Sequence, residues 1–563
     1  MSFAYLLLIS ILSLFLTFSL GYLGLRSLSQ WSIDRCLALA GAWGIALQSA
    51  LAFLNFLLGF SGKTFLVVAT LGLFLLFFAL LLRKPKREEQ RGHYQWIYLP
   101  LLLWLALLGM QLFVLLYSGA GYYGDWWMHY DIARIYLGTQ KLDTVYFEIY
   151  NVTSRTPLFN LFSSYYLGLF EESFSIYQIL SILPGIALVT LIPLFLRPSL
   201  IPLAFSLVAF SPYFSNMISY PWPKILATVY ILVSFYFYLD IRHNCRSRLY
   251  SVSGLACGLG WGLALLSHPS AILYVIALII DNLWVNRHNL PLVARQTGFA
   301  LIVAIAICLP WYLWGISQFG LASLFSTAAR TTGTATAFGR IIDAINNSIA
   351  TIFPLELIEA VTKRIVHGPG SGGEYHVLRY QLWNSWFRLY YGIFSGALTL
   401  TLLAVLVVGF WQRVSGKVRS HPLFPPSFLV SVFAIGFWGG CFLQPGYHRR
   451  GVVGESMTPL VVLLFFFAVE YLATLPARVK QGAFLTVVLE FFLSRWIHLL
   501  FLGTEGSVVW DGNADLKGKY ALVFARDIIG NSSGLWITTI PLILFLVIGW
   551  KSLLIDRKVI STH

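Results

Sequence analysis

The chain has 563 residues, of which 58% are hydrophobic and 11% charged, a balance far more apolar than that of soluble domains, which excludes a chain built to fold in water. Its formal net charge of +15 has a plain cause in a membrane protein, basic residues anchoring inner loops, and nucleic acid is not an expected partner. The expected class is an integral membrane protein with membrane lipids as its surroundings.

Apolar stretches of roughly 20 residues, each enough to span a bilayer core as a helix, recur along the whole chain. They are continuously apolar and rich in Leu and Phe, so helices are predicted rather than the alternating strands of a barrel. The first, Phe3 to Leu23, lacks preceding basic residues and a following small-residue cleavage site, and is read as a retained helix. Helices follow at Leu37 to Phe60, Phe65 to Leu82 and Trp96 to Leu116. A second group covers Ile176 to Leu196, Ile201 to Tyr213, Ile225 to Leu239, Gly254 to Leu266, Ala271 to Leu283 and Phe299 to Gly315. The third covers Leu389 to Trp411, Phe428 to Phe442, Leu460 to Leu475, Phe484 to Leu502 and Trp536 to Trp550. The prediction is an all-α polytopic membrane protein of about 13–15 transmembrane helices, with extracytoplasmic loops carrying interfacial helices.

The basic run from Arg83 to Arg91 places its connection in the cytoplasm. Alternation then puts the N-terminus outside, the C-terminus inside, and more than half of the 38 Lys and Arg residues in inner connections. Three outer segments are long: Tyr117 to Ser175, Ile316 to Arg388 and Gly503 to Gly534. Loops of that length are usually functional or disordered, and the glycines between His367 and Glu374 make the middle one a candidate lid. The chain therefore divides into N-terminal accessory helices (1–95), a core with the first outer loop (96–315, loop 117–175), the candidate lid (316–388) and C-terminal helices (389–563, loop 503–534). The five cysteines are scattered in or beside apolar segments without metal-type spacing and read as packing residues. No internal repeat and no inverted pair of broken helices is visible.

Chemistry-bearing residues gather in the first outer loop. Between Gly121 and Arg134 stand Asp125, His129, Asp131 and Arg134. If a helix begins at Asp125, that residue caps it and His129 lies one turn on, on the same face. The competing reading is an interfacial aromatic belt of Tyr122, Tyr123, Trp126, Trp127 and Tyr130, with Asp125 serving only as a cap. Next comes Arg155, followed by Thr156, Pro157 and an apolar re-entry; its planar fork of donors suits a phosphate. The segment from Tyr220 to Lys224 forms a tight outer turn, where Lys224 either snorkels or binds an anion. Glu490, Arg495 and His498 fall within an apolar stretch, an expensive set in lipid that either marks an acceptor path or pairs internally.

The order of these elements resembles that of the GT-C glycosyltransferases, including the protein mannosyltransferase and aminoarabinose transferase families. The elements are Gly124-Asp125 through His129, Arg155 to Leu158, the Tyr220 to Lys224 turn, a Ser267-His268-Pro269 break, and Gly446 to Arg450 before Pro459. They cover roughly the middle and C-terminal two thirds of the chain. The resemblance implies a GT-C-type bundle and an inverting enzyme that moves a monosaccharide from a polyprenyl-phosphate donor to a lipid-linked glycan, envelope polysaccharide or protein acceptor. Asp125 would be the catalytic base, and Arg155, Lys224, Arg449 and Arg450 would hold the donor phosphate. His129, Asp131, Arg134, Glu148, Tyr220 and His268 would contact substrate. The implied setting is a prokaryotic plasma membrane with the site facing outward. His129 with an acid can hold a divalent cation, but two or three such ligands do not specify a metal, and no other cofactor is expected.

Two features depart from the family pattern. About three helices precede the one leading into the catalytic loop, whereas in the families that loop follows the first helix, and Asp131, Asp143 and Glu148 compete for the place of a second acid. The alternative from another class is a transporter or flippase of a lipid-linked or anionic solute, which should carry charges deep in several spans and paired broken helices.

Overall fold

The computed structural model describes residues 2–60, 63–83, 96–116, 123–145, 151–219, 221–243, 252–322, 336–353, 358, 362, 424–443, 453–501, 528–529 and 532–554. Among these residues the protein is a helical bundle. Helices α1 (Phe3–Leu28), α2 (Ile33–Leu58), α3 (Lys63–Leu82) and α4 (Tyr98–Phe113) come first. Then come α5 (Tyr123–Leu137), α6 (Leu158–Leu169) and three short consecutive helices, α7 (Phe174–Leu180), α8 (Ile182–Thr190) and α9 (Ile192–Phe195). The middle holds α10 (Ile201–Ala209), α11 (Pro212–Ser219), α12 (Pro223–His243), α13 (Val252–Ser267), α14 (Ala271–Val285) and α15 (Leu290–Phe319). The last described helices are α16 (Ala337–Ile352), α17 (Pro426–Leu443), α18 (Thr458–Leu472), α19 (Ala477–Phe501) and α20 (Ser533–Leu554).

Among the described residues 8 helices, or 9 counting one bent pair, are long and apolar enough to cross a membrane, and four shorter apolar helices accompany them. The span expected at 389–411 lies outside the described residues. Large apolar side chains such as Leu75 on α3 (70% exposed) and Ile302 on α15 (66% exposed) point away from the bundle. Such a surface is stable against acyl chains and not against water. The chain is a polytopic integral membrane protein, predominantly helical among the described residues.

Two elements differ from the sequence prediction. The helix expected to run from Trp96 to Leu116 ends at Phe113, and Val114–Leu116 forms a strand paired antiparallel with Ile528–Ile529. Among the described residues this ladder is the exception to an all-α architecture, and it brings residues 528–529 beside the end of α4. The helix expected over Ile201 to Tyr213 is broken, with α10 and α11 bent 72° apart. Pro212 lacks an N–H and disfavours the helical region for Ser211, so the turn cannot continue through that point. One broken pair among the described residues is short of the two that inverted-repeat transporters carry.

Helices α1 and α2 meet at a seam made by glycine. A Cβ on Gly44 would stand 1.9 Å from the carbonyl oxygen of Thr17, and one on Gly21 would stand 1.9 Å from that of Ala40. Only hydrogen at these positions lets the two backbones touch, the usual way for helices to associate in lipid. At one end of the bundle, α12, α14 and α17 are tied through fully buried Asp281. It accepts from Arg242 Nη1 at 2.6 Å, Tyr238 Oη at 2.5 Å and Ser427 Oγ at 2.6 Å. An ion pair with this many hydrogen bonds is compensated within the protein and reads as a structural clasp.

Candidate active site

Helix α5 begins at Tyr123, so Asp125 is its third residue rather than its cap, and His129 follows one turn later. The backbone of Asp125 is described and its side chain lies outside the described residues. The His129 ring is buried between α5 and α6, with Nδ1 3.0 Å from Asn160 Oδ1. Asp131 is buried, and its carboxylate accepts from Arg134 Nη1 at 3.0 Å. The same guanidinium donates through Nε to Glu172. Burial raises Asp131 above the usual carboxylate range, against the opposing pull of Arg134. Burial and then the charge of Glu172 push the neighbouring Tyr130 phenol up to about 12, so it stays protonated. Arg134 thus fastens α5 to the loop before α7.

Arg155 is half-buried and extended, between a single turn (Val152–Ser154) and α6. Asn151 caps that turn, with Oδ1 accepting from the backbone of Thr153 and Ser154 at 3.1 Å each. This fixes the direction in which the chain arrives at Arg155. Thr156 Oγ1 donates to the Ser267 carbonyl at 2.6 Å, which joins the start of α6 to the Ser267-His268-Pro269 break before α14. His268 Nδ1 lies 2.8 Å from Ser270 Oγ. Lys224 is buried in the first turn of α12, with Nζ 4.2 Å from the centre of the Trp222 ring. It does not snorkel; its charge sits on an aromatic face at a helix N-terminus, whose own dipole is also positive.

Tyr177 on α7 connects these elements. Its hydroxyl donates to the Pro221 carbonyl at 3.0 Å, and its ring lies 5.4 Å from Tyr130 on α5 and 5.9 Å from Phe159 at the start of α6. The turn is further held by Gln111 Nε2 and Ser181 Oγ, which donate to the Ser219 carbonyl at 2.7 and 3.2 Å. The N-termini of α6, α12 and α14, each beside a basic residue, are therefore brought into one neighbourhood with α5. Orphan N–H groups, helix dipoles and cationic side chains acting together make a region suited to an anion.

Helix α6 is in turn held by the N-terminal helices that the family pattern leaves unexplained. Gln48 Nε2 donates to Tyr166 Oη at 2.8 Å, Thr17 Oγ1 donates to Gln48 Oε1 at 3.1 Å, and Tyr166 Oη donates to the Ser13 carbonyl at 2.8 Å. Ser49 Oγ reaches the Leu158 carbonyl at 3.2 Å, and Tyr165 pairs with Thr70 on α3 at 2.6 Å. Apart from the Thr17–Gln48 bond, which joins α1 to α2, each link runs between α6 and α1, α2 or α3.

Glu148, Tyr220, Arg449 and Arg450 lie outside the described residues, as does the side chain of His498. The exit of the loop that carries Arg449 and Arg450 is described: Tyr274 Oη, one turn into α14, donates to the Ser456 carbonyl at 2.6 Å. Arg495 on α19 donates to Ser215 Oγ and, at 2.9 Å, to Asn216 Oδ1 on α11. Among the described residues no three His, Cys, Asp or Glu side chains are placed to hold a metal ion. Asn160, Glu172 and Tyr177 were missed by sequence reasoning. Only Asn160 had a signal, a polar residue two positions beyond the Arg155-to-Leu158 element in an apolar re-entry.

No family model matches the sequence, and no curated protein matches it. Among solved structures, the chain is similar to the crystal structure of ArnT from Cupriavidus metallidurans bound to undecaprenyl phosphate, with 13% identity and a TM-score of 0.46. The similarity covers 82% of this chain and 74% of that one.

Proposed function

We propose that this protein is an inverting glycosyltransferase of the GT-C kind, transferring a monosaccharide from a polyprenyl-phosphate carrier to a lipid-linked glycan, envelope polysaccharide or protein. The observation that carries the proposal is the convergence of four separate sequence elements. The α5 segment, the Arg155 element, the 220–224 turn and the Ser267-His268-Pro269 break meet through Tyr177 and Thr156. A membrane protein that gathers helix N-termini and cations beside an acid-bearing helix is equipped to bind a lipid phosphate and act on the bond next to it.

In this reading Asp125 takes the proton of the acceptor hydroxyl as its oxygen attacks the anomeric carbon. The bond from that carbon to the phosphate oxygen breaks, and the polyprenyl phosphate leaves with the electron pair. The configuration inverts. General-base help of this sort contributes about 10²- to 10⁴-fold. Arg155 and Lys224, with Arg449 and Arg450 from the late loop, hold the phosphate and stabilise the charge it gains. His129, Glu148, Tyr220 and His268 contact substrate, while Asp131 and Arg134 position α5. The site faces outward in a prokaryotic plasma membrane, with the N-terminus outside and the C-terminus in the cytoplasm. The basic run from Arg83 to Arg91 supports that orientation.

The test is transfer of label from a panel of polyprenyl-phosphate sugars to membrane extracts by wild-type and Asp125→Asn protein in liposomes. Transfer by wild type alone, from the variant's normally folded equal, supports both the class and the base. Transfer by both would refute the role of Asp125. Movement of label across the bilayer without transfer would favour a flippase.

A further inference from the structure

Helix α16 is inside out by the standards of a solvated loop. Phe338, Ile341, Ile342, Ile345, Ile349 and Ile352 recur at the 3–4-residue spacing of one helix face, and that face is exposed, Phe338 by 72% and Ile345 by 48%. The opposite face is polar and buried: Asn347 and Thr351 are 0% exposed, and Ser348 is also buried. The polar face packs on α17. Asn347 Nδ2 donates to the Cys441 carbonyl at 2.9 Å, one of the orphan carbonyls at the end of that helix. The Ser348 and Thr351 hydroxyls stand against the Cys441 thiol.

We propose that α16 is embedded in the bilayer, with its isoleucine face among lipid acyl chains at the depth where α17 ends. Three observations commit the face to lipid. Its partner α17 is itself long and apolar enough to cross a membrane. The end of α17 on which α16 rests exposes Trp438, Phe442 and Leu443, so the apolar surface continues from one helix to the other. Last, a helix of 16 residues rises about 24 Å, short of the ~30 Å hydrocarbon core, and so need not cross to bury one face in it. A helix seated this way anchors residues 337–352 to the membrane and does not swing into water as part of a lid. This seating of α16 does not depend on which reaction the protein performs.

Spin labels test it. The full-length chain in liposomes, with Cys245→Ser, would carry Ile345→Cys, Phe338→Cys or, as an aqueous reference, Lys141→Cys; the other cysteines are buried. Collision with dissolved oxygen should exceed collision with a water-soluble nickel chelate several-fold at both α16 positions, with the reverse at Lys141. Nickel access at Ile345 and Phe338 equal to that at Lys141 would overturn the proposal. So would poor access to both relaxants, which would mean a second copy or another protein covers the face. Two label positions keep the test decisive if one variant fails to fold.

Discussion

Replacing Tyr177 by Phe removes one hydroxyl and leaves the ring contacts to Tyr130 and Phe159 in place. The lost interaction is the 3.0 Å donation to the Pro221 carbonyl, which is buried. Leaving a buried acceptor unsatisfied costs about 1–3 kcal/mol. If that cost appears as displacement of the turn that carries Lys224, kcat/KM for the sugar donor should fall by roughly 5- to 150-fold, at about 1.4 kcal/mol per factor of ten. The loss should lie mainly in donor KM, because the hydroxyl itself touches no reacting atom. Tyr230→Phe is the comparison: it removes a similar 2.9 Å bond, to the Ala42 carbonyl, from a part of α12 remote from the turn. Both variants should lower the unfolding midpoint of detergent-purified protein, but only Tyr177→Phe should impair transfer. Equal transfer by the two variants, with a lowered midpoint in each, would refute the idea that the 220–224 turn belongs to the site.

Thr156→Val keeps the side-chain shape but loses the 2.6 Å bond to the Ser267 carbonyl; donor kcat/KM should fall about tenfold for roughly 1 kcal/mol of stability, measured on the same preparations. Gly44→Ala places a methyl against the Thr17 carbonyl and forces α1 and α2 apart; the expected cost is about 1–3 kcal/mol, with a parallel loss of transfer because α6 loses its support. Asp131 gives a pH signature. Its carboxyl is raised by burial, so the folded state holds the proton more tightly than the unfolded chain does. Its contribution to stability is therefore full below about pH 4 and declines as pH rises through the folded value. Unfolding midpoints should fall over that window in wild type more steeply than in Asp131→Asn, and identical slopes would contradict the assignment.

Some of the architecture was legible because it depends on composition over many residues. A helix in lipid must satisfy its backbone internally and present apolar side chains, so α1, α2, α3 and α15 announce themselves. The end of α4 did not, since Val114–Leu116 is as apolar as a helix would be and becomes a strand only because Ile528–Ile529, more than 400 residues away, supplies its partner. The break between α10 and α11 had a local signal, Ser211-Pro212, that the apolar run concealed. Residues 337–352 fall within the candidate lid expected over 316–388, because the sequence does not say which face of a helix is covered.

The sequence by itself determined the solvent of this protein and the order of its chemistry-bearing segments, both of which follow from residue type and local spacing. Tertiary structure alone decided that Thr156 would meet Ser267, that Tyr177 would bind the Pro221 turn, and that Gln48 and Tyr166 would tie the N-terminal helices to α6. These bonds join residues 44 to 118 positions apart, and two of them end on backbone carbonyls that any donor could reach. Lipid drives no preference among apolar helix faces, so close packing at Gly21 and Gly44 and a few hydrogen bonds select the arrangement. Those determinants are visible only once the helices are side by side.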